Sequence, residues 1–444
     1  MEYSNSIKTV FYRGANKNLT RIWQNTPRIK NSTMKNKIII TTILAAILGA
    51  AANLHAQDKQ TLDLLVSKGL ITRAEADSVA KKTATVSPKE KTVKSLKVEG
   101  RLQTQYEYLS NNDGDTDPRS TFLLRRIFLG IGADLGAGWK ADIVADFANS
   151  KGGYLEKAYI SKKFDYDFIN GTADVGYRKT NFAVEEYTSS SKLLSIERSL
   201  ATRYFAEGND GRKLGIAGRH TGAFWNGNLS DKIDGLTYGM AVSTAYNNSP
   251  TGTPTGYTNG LMYAANVAYK TKIDGAKLEV GANAAYTNGM NVIGSKGYRY
   301  GEVIAVNPYV KASVMGVDLW GEFLLANVEN GVSNGKDATP MGANIGAEYK
   351  FDIGELGKIA PTVRLSWLDT DGRGVKISDG VRDSNAANTF DSGESIYVGL
   401  NWYLQGNAVK YQIGYEYARF EGGYSASQRT ADASAFRTQL QILF

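Results

Sequence analysis

From Val98 to the last residue, apolar and polar side chains alternate at period two in one segment after another. In the first, Val98, Leu102, Thr104, Tyr106 and Tyr108 share one face, and Glu99, Arg101, Gln103, Gln105 and Glu107 share the other. Trp139 to Phe147, Met341 to Phe351 and Ile396 to Leu404 repeat the pattern. Such alternation predicts strands with one apolar and one polar face. A soluble sandwich would turn the apolar face inward. In lipid it turns outward, and closing the sheet leaves no strand edge with unpaired backbone groups.

Sixteen such segments run from 98–109 to 433–444, with 171–180, 212–226 and 407–421 among them. They predict an all-β membrane protein, an antiparallel transmembrane β-barrel of about 16 strands over residues 98–444. Short turns at Gly136–Gly138, Asp274-Gly275, Met315-Gly316 and Gly406 follow even-numbered strands, and longer polar loops follow most odd-numbered ones. That asymmetry predicts periplasmic turns, extracellular loops and two periplasmic termini. Tyr106, Tyr108, Trp225, Tyr246, Tyr269, Tyr286, Trp367 and Trp402 lie toward segment ends, where interfacial girdles belong.

Ahead of the barrel the pattern changes. Lys35 and Lys37 precede an apolar run from Ile38 to Ala52, which reads as a signal peptide over 34–56. Met34 then marks the expected start, and residues 1–33 a mis-assigned upstream extension. Residues 57–97 predict a periplasmic helical segment and linker. Leu62, Leu65 and Val66 give it a helical stripe, and Thr72-Arg73-Ala74-Glu75 has capping-box spacing.

Composition fits a barrel: 47 glycines, 26 tyrosines, 8 prolines and no cysteine. The last excludes disulfides and thiolate chemistry. A net charge of +8 invites a nucleic-acid reading, but residues 1–56 hold 8 basic and 1 acidic side chains, and 57–98 hold 9 and 5. From Glu99 onward the balance is 35 basic against 38 acidic, so no basic footprint marks the folded part and no nucleic-acid partner is expected.

About sixteen strands enclose a lumen too wide for side chains to fill. The longest connection, Asn181 to Gly211, is expected to fold inward and narrow it. It carries Glu185, Glu186, Lys192, Glu197, Arg198, Arg203 and Glu207. Phasing places Arg101, Arg126, Lys140, Arg178, Lys213, Arg219, Lys311, Arg364 and Arg437 inside, with Glu99, Asp134, Asp142, Asp146, Asp174, Glu279, Glu322 and Glu348. That tally has no basic excess, so any selectivity must arise from local placement.

Several stretches resemble the phosphate-selective porin O and P family. Arg125-Arg126 with the glycine-rich run to Trp139-Lys140 looks like its second hairpin. Asp174 to Phe182, then Glu186, Ser189-Ser190 and Ile196-Glu197-Arg198-Ser199, looks like its strand-to-loop signature, although Lys179-Thr180-Asn181-Phe182 lacks the family's usual proline. Phe436 to Phe444 is also family-like. The resemblance implies a trimeric, sixteen-stranded outer-membrane channel, in some members anion- or phosphate-selective. By position it offers Arg126, Arg178, Lys192, Arg198 and Arg203 as pore-lining cations, to which phasing adds Lys140 and Arg219. Phe444 resembles the signal read by the barrel-assembly machinery.

Enzymatic chemistry finds little support. His55 leaves with the signal peptide, and His220 phases outward as a lipid- or subunit-facing residue, which leaves little room for a Ser-His hydrolase on the barrel exterior. Asp113-Gly114-Asp115-Thr116-Asp117 mimics a calcium loop, but Pro118 and Leu124 stand where glycine and glutamate are needed. No cofactor and no metal are expected. The leading expectation is a diffusion channel for small hydrophilic solutes, anionic or neutral, in outer-membrane lipid as a homotrimer. The other is a structural or adhesive barrel with a plugged lumen.

Overall fold

Alternation becomes a closed antiparallel barrel of sixteen strands in the computed structural model. The first eight are β1 (Ser95–Asn111), β2 (Arg119–Gly136), β3 (Trp139–Asp146), β4 (Tyr154–Tyr166), β5 (Ile169–Lys179), β6 (Arg219–Asn228), β7 (Leu236–Thr244) and β8 (Leu261–Ile273). Then come β9 (Ala276–Thr287), β10 (Val303–Val314), β11 (Val317–Val328), β12 (Met341–Tyr349, continued by Phe351–Asp352) and β13 (Lys358–Asp369). The last are β14 (Ser392–Asn407), β15 (Val409–Ser425) and β16 (Gln428–Leu443). Each pairs with its sequence neighbour, and β16 closes on β1 from Arg101↔Leu443 to Asn111↔Ala433. No strand is left as an edge. The described residues are 66–67, 72–74, 93–113, 117–148, 154–166, 169–208, 212–229, 233–245, 260–288, 301–332, 334–384, 388–425 and 428–444.

The chain divides into two units, Met1–Ser87 and Pro88–Phe444. In the first, Val66, Ser67, Arg73 and Ala74 are helical, with Thr72 just ahead of the second turn, where a cap belongs. The expected extension over 1–33, the signal peptide over 34–56 and most of 57–97 lie outside the described residues. So do Tyr246 and Gly114 to Thr116.

Burial identifies the faces. On β10, Ile304 and Val306 are 56% and 40% exposed, whereas Ala305 and Asn307 are 1% and 0%. The same alternation puts Val363, Leu365 and Trp367 outside on β13 and Arg364 and Ser366 inside. At one end the hairpins are tight. Asp274-Gly275 and Met315-Gly316 have positive φ at both positions (49° and 83°, 50° and 85°), the backbone that a two-residue turn between right-twisted strands requires. Both ends of the barrel segment meet at this short-turn end, where Gly100 and Phe444 exchange backbone hydrogen bonds of 2.6 and 3.1 Å.

The lumen holds an apolar core, made by two connections from the other end. Residues 180–218, with helices α1 (Val184–Tyr187) and α2 (Leu200–Ala206), bury Phe182, Leu200, Tyr204, Phe205, Leu214 and Ile216. These pack on wall residues that include Leu109, Met262, Leu324, Leu368 and Phe420. Residues 370–391, with α3 (Ile377–Gly380), add Val375, Ile377, Val381 and Phe390, all at 0% exposure. Each large apolar side chain buried this way contributes about 1.5–3 kcal/mol toward holding the loops inside.

Three expectations need correction. The segment 212–226 becomes strand only at Arg219, because Leu214 and Ile216 donate to the Tyr204 and Phe205 carbonyls of α2 and not to a neighbouring strand. Lys213 is therefore a loop residue, held by Glu207 at 2.6 Å and Asp379 at 3.0 Å. His220 does not face outward: it is fully buried, in phase with inward-facing Phe224, its Nδ1 2.8 Å from the Thr244 carbonyl. The final strand begins at Gln428, ahead of the expected residue 433.

Candidate functional site: a cation-lined passage along one wall

Local irregularities of β2 and β4 decide which charges reach the lumen. On β2 the pairing runs Gln103↔Arg126 and then Thr104↔Leu124, so Arg125 is an extra residue in a bulge. Bulges re-aim side chains. Here Arg125 and Arg126, sequence neighbours that strict alternation would put on opposite faces, both line the same cavity. On β4 the pairing skips from Val144↔Lys157 to Ala145↔Leu155, which brings Glu156 and Lys157 inside together.

The long inward loop leans on the opposite wall. Glu322 of β11 accepts from the backbone of Val184 (2.7 Å) and Glu185 (3.4 Å) at the start of α1. Ser199 caps α2 by accepting from the Thr202 backbone. Arg364 of β13, fully buried, donates to Glu185 (3.1 Å), Ser195 (2.6 Å), the Glu197 carbonyl (2.6 Å) and Glu416 (2.5 Å). Lys410 of β15 donates to the carbonyls of Ser191 and Leu193, each at 3.0 Å. Close seating of α2 needs glycine in the wall: a Cβ at Gly342 would stand 2.8 Å from that of Ala201.

What the loop leaves open is a cavity of about 820 Å³ along β1 to β6. Its lining begins at Lys97 and Phe444, by the short turns, and reaches Asp146, Tyr154, Lys179 and Arg219 at the far ends of their strands. The cavity thus extends along the inner wall from the short turns to the far ends of β3 to β6. Eleven Lys and Arg side chains line it against five Asp and Glu. A charge-balanced barrel therefore has a strongly positive passage.

Most of these cations are partnered. Arg198 binds Glu186 at 2.8 Å, Arg203 binds Glu207 at 3.1 Å, Arg178 pairs with Asp174, and Arg219 pairs with Glu156. Glu197, 1% exposed in its side chain, sits between Arg125 at 2.5 Å and Arg382 at 2.8 Å. Burial alone would push the loop carboxylates up. Against it, Arg198 and Lys179 lower Glu186, Arg125 and Arg382 hold Glu197 well below the carboxylate range, and Arg203, Arg382 and Lys213 lower Glu207. These acids stay charged and fix the loop. Arg101 and Arg126 differ. Arg101 donates only to Ser190 (2.5 Å) and Ser189 (3.0 Å), and Arg126 to Gln103 (2.8 Å). Among the described residues neither has a carboxylate within ion-pair distance, and the buried Arg101 Nε has no partner.

Of the seven cations expected from sequence, Arg126, Arg178, Arg198, Arg203 and Arg219 line this passage. Lys140 is exposed beside Asp134 and does not join the lining. Lys192 borders a second cavity, of about 1190 Å³, at the short-turn end beneath the loop. Arg101 phased inward without being singled out. Arg125 is visible only through the bulge, and Arg382 only through the folding of residues 370–391.

No curated protein matches the chain in sequence. Many solved structures share its fold. An anion-selective porin from Comamonas acidovorans is 13% identical with a TM-score of 0.54, covering 78% of this chain and 99% of its own. OprB of Pseudomonas putida, in a high-pH structure, is 10% identical with a TM-score of 0.54 over 78% and 94%. OmpF of Salmonella typhi, in complex with daunomycin, is 14% identical with a TM-score of 0.51 over 78% and 97%. Residues 96–296 match the family described as Phosphate-selective porin O and P. By that match and by its barrel, the chain resembles the phosphate-selective porin O and P family over residues 96–296 and shares the fold of outer-membrane porins.

Proposed function

We propose that this porin is a passive diffusion channel preferring small hydrophilic anions, inorganic phosphate among them. The observation that carries the reading is the passage along β1 to β6, which has eleven basic and five acidic side chains in its lining. A positive field over a narrow, low-dielectric path concentrates anions and repels cations. Arg126, Arg178, Arg198, Arg203 and Arg219 would set that field, with Arg101 and Arg125. Arg101, Arg126 and the hydroxyls of Ser189 and Ser190 offer donors suited to an oxyanion.

In this reading the short turns and both ends of the barrel are periplasmic, the protein assembles as a homotrimer, and Phe444 is the contact for the assembly machinery. Support for the last is its place: the ring is 72% exposed and lies over Gly100 at the barrel seam. A purely structural barrel with a plugged lumen fits poorly with a passage of this length.

Planar-bilayer recording of the refolded protein in a KCl gradient tests the reading. Discrete conductance steps, an anion-leaning reversal potential and block of chloride current by added phosphate are expected. Absence of steps would sink the channel, a cation-leaning potential the anion preference, and unaltered chloride current the place of phosphate.

A further inference from the structure

The loop of residues 370–391 delivers one guanidinium into the passage. Arg382 lines the cavity together with Arg125, Arg126 and Arg203. Its Nε lies 2.8 Å from Glu197 and its Nη2 3.6 Å from Glu207, the carboxylates that also hold Arg125 and Arg203. With its side chain 32% exposed, Arg382 keeps part of its surface toward the passage, whereas Arg203 shows 5%.

The backbone at Arg382 is unusual too, with φ at 63°. At the Asp274, Met315 and Asp371 turns a residue with positive φ is followed by glycine, as tight turns require. Arg382 precedes Asp383 and has no such excuse. A bulky residue held left-handed is strained, and such strain persists only where surrounding contacts over-determine it. Those contacts are present. Val381 is fully buried and its carbonyl accepts from Arg437, while Asp383 accepts from Asn111 at 2.6 Å. With both neighbours fixed, the arginine is turned toward Glu197.

We propose that residues 370–391 form the second jaw of the constriction and that Arg382 is a selectivity-determining residue of the channel, setting the field across from the long loop. This rests on the anion-channel reading above. A separate set of contacts ties the two loops together. Asp379 binds Arg212 at 2.9 Å and Lys213 at 3.0 Å, and the Gly380 carbonyl accepts from Arg203 at 2.8 Å. The tether and the charge can therefore be separated by mutation.

The test compares reversal potentials of wild type, Arg382→Gln and Asp379→Asn in the same KCl gradient. Removing one partly hydrated charge from the lining should lower the anion-to-cation permeability ratio of Arg382→Gln by roughly two- to three-fold. Asp379→Asn weakens the tether and leaves the Arg382 charge in place, so it should keep the wild-type ratio. A wild-type ratio in Arg382→Gln would overturn the proposal. Equal losses in the two variants would also overturn it, by assigning the loop a purely structural role. The wild-type sign judges the anion reading, and the change on mutation judges Arg382.

Discussion

Two walls of one lumen carry inward arginines at the same period-two positions, and the two sets do different work. On β13, Arg364 is fully buried between Glu185 and Glu416, with Ser195 and a backbone carbonyl completing its donors. On β1 and β2, Arg101 and Arg126 have only hydroxyl and amide partners. The difference lies in what folds against them. The long loop presses Glu185 and the Glu197 carbonyl onto the β13 side and turns Arg198 and Arg203 toward the open side. An inward arginine enclosed by carboxylates and away from the passage is an anchor, and one that lines the passage is a field source, paired or not.

Breaking the anchored side should have the largest effect. Arg364→Met leaves Glu185 buried without its cation and Glu416 with only Arg437, at 3.8 Å, and removing one member of a buried pair costs about 3–5 kcal/mol. Much of that penalty falls on the seating of residues 180–218, since the barrel ladder does not depend on Arg364. Limited proteolysis should cut this loop in the variant and spare it in wild type, and single-channel traces should become noisy. A loop as protected as in wild type would refute the anchor.

On the open side the expectation is the reverse. Arg101→Gln combined with Arg126→Gln removes two charges that no carboxylate neutralises. At about 1 kcal/mol of lost attraction in a hydrated pore, the anion-to-cation permeability ratio should fall roughly five-fold. Thermal unfolding should stay at its wild-type midpoint. A large drop in stability, with selectivity retained, would turn the comparison around.

Much of this architecture is legible in the chain. Period-two alternation located all sixteen strands, since lipid outside and polar lumen inside impose it on each of them. The inward course of the long loop was also expected, from its length. Three features were hidden, each for a physical reason. Arg125 enters the passage because a bulge breaks the alternation on which phasing depends. Residues 212–218 alternate like a strand, but their partners belong to α2, and alternation does not name partners. Residues 370–391 fold inward through Val375, Ile377, Val381 and Phe390, apolar positions too widely spaced to show a period. The charge tally is uninformative about the passage, because a sum over the barrel averages the anchored wall with the open one.

A smaller effect should follow from crowding the anchored side without touching a charge. Gly342 lets α2 approach β12, and Gly342→Leu would drive its side chain against Ala201. Overpacking of this kind costs about 1–3 kcal/mol or displaces the intruder. The available direction is toward β1 to β6, so conductance should fall by roughly half as the passage narrows, with the reversal potential unchanged. Unaltered conductance would mean that α2 does not set the width.

The smallest change is expected from acid, and it sharpens the comparison because loop carboxylates join the two sides. Glu186, Glu197, Glu207 and Asp379 all titrate below their ordinary values of 4.5 for Glu and 3.8 for Asp. For Asp379, burial pushes up, and Lys213 and then Arg212 pull it down further. A carboxylate depressed in the folded state adds stability above its unfolded pKa and loses it as pH falls through the folded one. From pH 7 to about 5, above the ordinary carboxylate range, these four should hold their charge, so conductance and selectivity should not move. The stability they add is lost only as pH falls through their depressed folded values, so at about pH 3 Glu197 and Glu207, the most strongly lowered, should still hold Arg125, Arg203 and Arg382 and the loop should stay protected. Recording at pH 7, 5 and 3 with parallel proteolysis checks this. A rise in anion preference already at pH 5 would mean that a passage carboxylate titrates normally, and the loop would then be held by apolar packing and Arg364 alone.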